Sequence, residues 1–188
     1  MSSASEVKKK SSFKTKDLVY IGLFATLIAV CSWISIPTTV PFTMQTFAIF
    51  AAVGLLGGKR GTFSVLVYIL LGALGLPVFA GFSGGIGILF GPTGGYIVGF
   101  LFTALFMWAT EKAFAKIRFG YVVQMLIGLA ICYLLGTLWF MVVYTQTTGA
   151  IGFTAVLGMC VIPFIIPDCI KIFLASVLVN RLKKSFQE

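Results

Sequence analysis

The chain consists of long apolar stretches that are separated by short segments rich in glycine, proline or basic residues. Crossing a hydrocarbon core of about 30 Å takes about 20 helical residues, and six stretches reach or approach that length. The second and third stretches are short, so they need partly embedded flanking turns. We therefore predict an all-α integral membrane protein with one membrane domain over 17–188. Its six transmembrane helices are expected at 18–36, 44–58, 61–76, 95–115, 121–144 and 155–180.

Composition and charge support this class and indicate an orientation. The chain is 59% hydrophobic and only 10% charged, whereas soluble domains are typically about 25% charged. Its 14 Lys and Arg residues lie almost entirely before the first stretch and after the second, fourth and sixth, while the other connections carry no charge. The positive-inside rule then predicts that both termini are cytoplasmic. The net charge of +9 is explained by topology and anionic headgroups rather than by nucleic acid. Residues 1–16 form a polar, basic tail that we expect to be disordered.

Most catalytic chemistry is absent from the sequence. There is no histidine, which removes histidine metal ligands and histidine general bases. The four cysteines have no CxxC spacing, and no phosphate-binding GxxxxGK[ST] loop is present. Of the five acidic residues, Glu111 lies near the end of the fourth stretch and only Asp168 lies in the interior of one, so a paired-carboxylate mechanism is not available. We therefore predict no enzyme activity, no metal site and no cofactor, and we favour binding or transport.

Asp168 and Lys171 are the only charges in the interior of the long apolar stretches, since Glu111 and Lys112 lie near the end of the fourth. A charge at bilayer depth costs roughly 2.5–3.5 kcal/mol on insertion scales and indicates a functional site. The preceding Pro167 predicts a kink or a restart of the helix. The two charged residues are three positions apart, so they share one face of that helix. The alternative is an ion pair that only neutralises itself, but desolvation makes such a pair a poor source of stability.

The segment 72–95 carries nine of the 21 glycines and no charge. It is too rich in glycine for a continuous helix and too apolar for a solvated loop. We therefore expect a structured cap over the outer mouth of the bundle, whose glycines let the backbone approach a ligand. Thr93 can cap the next helix, near Tyr96, where free N–H groups suit a carboxylate. The alternative is that both residues serve only the helix end and the membrane interface.

Two further patterns have a functional and a structural interpretation. Thr43 and Gln45 lie in an uncharged outer connection, where they either meet a ligand or merely reach the interface. Small residues follow one face of the first helix, and such faces allow close helix packing in lipid. This face either packs inside the bundle or docks another membrane protein; it comprises Gly22, Ala25, Ala29 and Ser32.

Three stretches carry a resemblance to a known family. They read IPTTVPFTMQTF, YILLGALGLPVFAGFSGGIGILFGPTGGYIVGF and PFIIPDCIK. They resemble the biotin-specific S components of energy-coupling factor (ECF) transporters, the BioY family, and the resemblance extends from residue 18 to about residue 182. In the first helix, Ala25 and Ala29 resemble the AxxxA motif with which this family docks its coupling subunit.

The resemblance implies a six-helix S component that captures biotin in a bacterial plasma membrane. Its partners would be a transmembrane coupling subunit and two ATPase subunits. Rival hypotheses are an S component for another small vitamin, a stand-alone secondary transporter and a membrane scaffold. With biotin as ligand, the expected binding residues are Thr43, Gln45, Phe79, Phe82, Gly84, Gly85, Gly91, Thr93, Tyr96, Asp168 and Lys171, and the expected docking residues are Gly22, Ala25 and Ala29.

Overall fold

The computed structural model describes residues 14–187, and this part of the chain is mostly helical. A helix occupies each of the six predicted stretches, and the last stretch divides in two. Of the predicted tail (1–16), residues 1–13 lie outside the described residues, and the first helix begins at Thr15, within the remaining part. The helices are α1 (Thr15–Trp33), α2 (Gln45–Leu56), α3 (Gly58–Ala73), α4 (Ile86–Phe90), α5 (Gly94–Phe114), α6 (Gly120–Thr147), α7 (Phe153–Cys160) and α8 (Ile162–Gln187).

Two regions without a long helix connect the long helices. Strands β1 (Ser35–Ile36) and β2 (Phe42–Thr43) pair antiparallel and form a hairpin over residues 35–43. The glycine-rich segment (72–95) contains a 3₁₀ turn over Ala80–Phe82, followed by α4. Both regions connect long helices, and both contribute residues to the cavity described below.

Four helical stretches in the described part of the chain are long and apolar enough to cross a membrane. They are Thr15–Trp33, Gly94–Phe114, Gly120–Thr147 and Phe153–Phe186. α2 is apolar but has only 12 residues, which gives a rise of about 18 Å at ~1.5 Å per residue.

α5 and α6 form the most extensive helix pair because glycines let their backbones approach closely. On α5, Gly95 lies against Trp139 and Gly99 lies against Cys132 of α6. In the other direction, Gly136 of α6 lies against the ring of Tyr96. A side chain at Gly95 or Gly136 would collide with these neighbours. The four-residue spacing of Gly95 and Gly99 is the small-xxx-small pattern of close helix pairs in lipid.

The turn between α2 and α3 is a single residue, Gly57, with φ of +82°. This left-handed conformation is accessible to glycine without a steric penalty. At the start of α3, the Gly58 N–H donates to Glu111 Oε2 of α5 at 3.1 Å. α2 packs against α3 and α8, and α1 packs against α2 and α3. The core side of α2 therefore faces α8, where the charged pair lies.

Of the kink or restart predicted at Pro167, the restart is wrong. α8 begins at Ile162 and continues through Pro167, and the break in the last stretch falls at Val161. Pro167 removes one backbone bond, the one its N–H would have donated to the carbonyl of Pro163. Asp168 therefore lies inside a continuous helix rather than in the first turn of a new one.

Candidate functional site

A cavity of about 220 Å³ opens between the hairpin, the glycine-rich segment and helices α2, α5, α6 and α8. An apolar cavity of about 150 Å³ holds benzene, so this volume suits a somewhat larger organic molecule. Its walls combine aromatic and aliphatic side chains with a few polar groups, which is the usual make-up of small-molecule sites.

Asp168 forms the charged end of the cavity, and its carboxylate accepts three hydrogen bonds. Lys171 Nζ donates to Oδ1 at 2.7 Å and Thr46 Oγ1 donates to Oδ1 at 3.1 Å. The Tyr133 hydroxyl donates to Oδ2 at 2.5 Å. The three donors come from α8, α2 and α6, so the carboxylate is fixed by three helices. Asp168 is only 4% exposed, and these bonds offset the cost of burying its charge.

Lys171 connects the same end of the cavity to the hairpin. Its Nζ donates to the Thr43 carbonyl at 2.5 Å and lies 3.8 Å from the centroid of the Phe42 ring. A cation over an aromatic face at this distance is attracted by the ring. Lys171 is only 4% exposed, and a carboxylate, a carbonyl and an aromatic ring compensate its buried charge.

A second group of hydrogen bonds lies beside the charged pair on α2 and α3. Thr43 Oγ1 donates to Gln45 Oε1 at 2.7 Å, and Gln45 Nε2 donates to the Tyr68 hydroxyl at 2.5 Å. Both Thr43 and Gln45 line the cavity and are buried. On α1, Ser32 Oγ donates to the Val78 carbonyl at 2.6 Å, which ties the glycine-rich segment to the bundle.

The middle of the cavity is apolar and aromatic. Phe79 is fully buried, and its ring meets Tyr68 edge-on with centroids 5.6 Å apart. The Tyr96 hydroxyl lies 3.3 Å from Thr137 Oγ1 and 3.4 Å from the Cys160 carbonyl, to which it donates. Tyr96 therefore offers its ring to the cavity. This part of the wall comprises Val40, Pro41, Phe42, Phe79, Ile88, Tyr96, Ile97, Phe100, Cys132 and Phe164.

The end nearest the glycine-rich segment is polar but carries no formal charge. Ser83 and Thr93 line it, and Thr93 occupies the N-cap position of α5 without a capping bond from its side chain. Six residues separate Thr93 from Gly99, a rise of about 9 Å at ~1.5 Å per residue. Gly99 lies against Cys132, the neighbour of Tyr133. Thr93 therefore lies about 9 Å along α5 from the position that packs beside Tyr133.

The cavity brings together seven of the eleven expected binding residues. They are Thr43, Gln45, Phe79, Thr93, Tyr96, Asp168 and Lys171.

The other four, Phe82, Gly84, Gly85 and Gly91, do not line the cavity. Phe82 is 64% exposed, and its ring stacks on Trp33 at a centroid distance of 4.9 Å. Gly84 packs on the Leu76 carbonyl, and the Gly85 N–H donates to the Gly72 carbonyl. The Gly91 carbonyl accepts a bond from the Trp139 indole. These glycines shape the segment rather than the cavity wall.

The small-residue face of α1 packs inside the bundle at three of its four positions. Ala25, Ala29 and Ser32 are at most 5% exposed within this single chain. α2 and α3 pack against α1 within this chain, and the docking of a coupling subunit at Ala25 and Ala29 stays a prediction. Gly22 is exposed, and nothing lies within 4 Å of a Cβ built on it.

Sequence reasoning missed several cavity residues, above all Thr46 and Tyr133. Both donate to Asp168. A signal existed for Tyr133, because a phenol hydroxyl near the middle of an apolar helix needs a partner. Thr46 directly follows Gln45, but a lone threonine carries little information. Phe42, Ser83, Phe100 and Phe164 were also missed.

The comparisons with known proteins agree with one another. The chain matches the model of the BioY family over residues 5–188. It is 41% identical over 175 residues to the biotin transporter BioY of Thermotoga maritima, which covers 90% of this chain and 96% of that protein. It is 39% identical over 171 residues to the probable biotin transporter BioY of Pyrococcus horikoshii, covering 90% and 98% respectively.

A solved structure shares the fold. It is the crystal structure of the S-component for biotin from an ECF-type ABC transporter, with a TM-score of 0.79 and 30% sequence identity. The match covers 92% of this chain and 95% of that one. Together with the family match over almost the whole sequence, this similarity shows that the chain belongs to the BioY family.

Proposed function

We propose that the chain binds biotin in this cavity, as the substrate-capture subunit of an ECF-type transporter. The observation that carries the proposal is a buried carboxylate, Asp168, at one end of an otherwise apolar cavity. Biotin has a ureido ring with two N–H donors and a carbonyl, an apolar thiophane ring and chain, and a terminal carboxylate. Relatives named as biotin transporters support the assignment.

The charge distribution favours one orientation of the ligand. The ureido ring lies at the charged end, where Asp168 accepts one of its N–H groups. Lys171 has three N–H donors and two protein oxygens accept from it, which leaves one donor for the ureido carbonyl. The apolar rings and chain lie along Phe79 and Tyr96. The ligand carboxylate then reaches the neutral end near Ser83 and Thr93, away from the charge of Asp168.

In the membrane, the helices are arranged as six spans with both termini cytoplasmic. α2 and α3 join through Gly57 on the basic, cytoplasmic side, next to Lys59 and Arg60. The hairpin and the glycine-rich segment then lie outside, and the latter caps the cavity. Biotin is captured from that side.

The energy for release comes from partners. The sequence has no phosphate-binding loop of its own. The resemblance to ECF S components implies that a coupling subunit and two ATPase subunits supply this energy. The lipid-facing side of α1, where Gly22 is exposed, is the proposed contact with the coupling subunit. The chain resides in the plasma membrane.

A calorimetric titration of the purified full-length chain with biotin tests the proposal. We expect sub-micromolar binding, equivalent to more than about 8 kcal/mol. Asp168→Asn should weaken it at least about tenfold, because the variant removes a charged acceptor and leaves Lys171 without its counter-charge.

Glu111→Gln is the matched control. It makes the same carboxylate-to-amide change outside the cavity, and its amide oxygen can still accept the Gly58 N–H. Biotin should bind this variant as it binds the wild type. The absence of biotin binding to the wild type, in a folded preparation, would contradict the proposed function.

A further inference from the structure

Tyr133 reaches the charged end of the cavity from the middle of α6. The binding of biotin as proposed above does not by itself require a phenol at this point. Its hydroxyl donates to Asp168 Oδ2 with 2.5 Å between the two oxygens. This bond fixes where the only O–H hydrogen of Tyr133 lies.

The hydrogen positions determine what Tyr133 can still do. A phenol has one O–H donor and also acts as an acceptor. Because the donor points at Asp168, the Tyr133 oxygen faces any ligand as an acceptor only. Reversing the bond is not possible while Asp168 is ionised, since a carboxylate has no proton to donate. Lys171 Nζ lies 2.7 Å from the other carboxylate oxygen and forms an ion pair with it.

The remaining capacity of Asp168 lies beside Tyr133. An ionised carboxylate has about four acceptor positions. Thr46 and Lys171 occupy the positions on Oδ1, whereas Tyr133 is the only donor to Oδ2 among residues 14–187. One acceptor position therefore remains, on the oxygen that is bonded to the phenol. Oδ2 and the Tyr133 oxygen are therefore two adjacent acceptors. The one hydrogen between them is already used in their own bond, so neither atom can donate to a ligand.

We propose that Asp168 Oδ2 and the Tyr133 oxygen form a two-acceptor edge that selects ligands by an N–H group and rejects ligands with an acceptor at that position. The proposal rests on the proposed function and deepens it, because it assigns Tyr133 as a specificity-determining residue. A ureido N–H of biotin points at this edge. An analogue with a ring oxygen there places its lone pairs against two protein oxygens, and no proton is available to separate them.

The difference from a purely structural role of Tyr133 can be measured. If the phenol only held Asp168 in place, its removal would weaken every ligand by a similar factor. If the Tyr133 oxygen faces the ligand, its removal also reduces the difference in affinity between a ligand with an N–H at that position and a ligand with an oxygen there. A cycle that combines a protein variant with a ligand variant isolates this second effect.

The test uses biotin and its two cyclic carbamate analogues, in which one or the other ureido N–H is replaced by oxygen. Each is titrated calorimetrically against the wild type, Tyr133→Phe and Tyr144→Phe. The last variant removes a phenol hydroxyl from the same helix at a residue that does not line the cavity. Size-exclusion profiles and thermal unfolding confirm that each protein is folded.

We expect at least one carbamate to bind the wild type about a hundredfold or more weaker than biotin, since it loses a bond to a charged acceptor and gains a repulsion. Tyr133→Phe should bind biotin at least about tenfold more weakly than the wild type. The ratio between its affinities for biotin and for that carbamate should be about tenfold smaller than in the wild type. Tyr144→Phe should keep the wild-type affinities and the wild-type affinity ratio between biotin and the carbamate.

Each contrary result has a distinct meaning. If the wild type binds biotin and Tyr133→Phe keeps the wild-type ratio between the affinities for biotin and for the carbamate, the role of Tyr133 in selection is overturned, even where every ligand binds more weakly, and the proposed function stays intact. A folded wild type that does not bind biotin overturns the proposed function and this inference with it. Should Tyr133→Phe fail to fold, the wild type still decides, because two carbamates that bind as tightly as biotin contradict the two-acceptor edge.

Discussion

Two ion pairs in this chain have the same chemistry and nearly the same geometry but different surroundings. Asp168 and Lys171 lie 2.7 Å apart, and both side chains are 5% exposed. Asp17 and Arg60 lie 2.8 Å apart, and the arginine side chain is 33% exposed. The first pair lines a cavity, whereas the second does not.

The difference lies in what each pair connects. Asp17 joins the start of α1 to α3 through Arg60, and it also accepts the Lys14 backbone N–H at 3.0 Å. It therefore fixes the beginning of one helix against another. Asp168 and Lys171 lie on one helix, so the bond between them joins no two elements. A buried pair of this kind contributes little net stability after desolvation. Its position on the cavity wall indicates that it serves a ligand.

The largest expected effect on stability comes from Lys171→Met. This variant leaves the buried Asp168 carboxylate without its cation and removes the bond to the Thr43 carbonyl of the hairpin. Breaking a buried pair on one side costs about 3–5 kcal/mol. Chemical denaturation in detergent measures the loss. A loss in the free energy of unfolding below about 1 kcal/mol would mean that the Asp168–Lys171 pair is solvated. It would then not differ in energy from the exposed Asp17–Arg60 pair.

The smallest expected effect comes from Asp17→Asn. A partly exposed pair contributes about 0–1 kcal/mol, and its contribution falls as salt screens it. The same denaturation experiment at low and high ionic strength should show a small loss that becomes smaller in salt. Biotin binding should not change. Weaker biotin binding in this variant would show that the second pair also acts on the cavity.

The sequence was informative where an unusual residue stood in an apolar background. Asp168 and Lys171 marked the charged end of the cavity, because a charge at that depth needs a reason. Thr43 and Gln45 stood out in the same way, and both line the cavity. The positions of the helices also followed from the lengths of the apolar stretches.

The orientation of individual side chains could not be predicted from such patterns. In the glycine-rich segment, Phe79 and Phe82 look alike in sequence, but the first is 1% exposed and the second 64%. Phe79 directly precedes a 3₁₀ turn and Phe82 is the last residue of that turn, in which Gly81 has a φ of +68°. No periodic pattern indicates which way such a turn faces. Small residues on α1 were equally ambiguous, since the same spacing suits packing inside or outside a bundle.

Tyr133 shows a different limit. Hydropathy scales treat tyrosine as nearly apolar, so it did not stand out in α6 as the charges did in α8. Its partner Asp168 is 35 residues away in the sequence. Only the packing of α6 near α8 reveals that a phenol and a carboxylate meet at the cavity.

The most direct test of the central claim replaces both members of the buried pair at once. Asp168→Leu with Lys171→Met removes both charges, and such swaps are often neutral or stabilising because no unpaired charge remains. The measurement is a biotin titration of this double variant, with its unfolding temperature recorded alongside. We predict a folded protein that is destabilised less than Lys171→Met and that no longer binds biotin. A stable double variant with wild-type affinity would contradict the account, since the pair would then be structural.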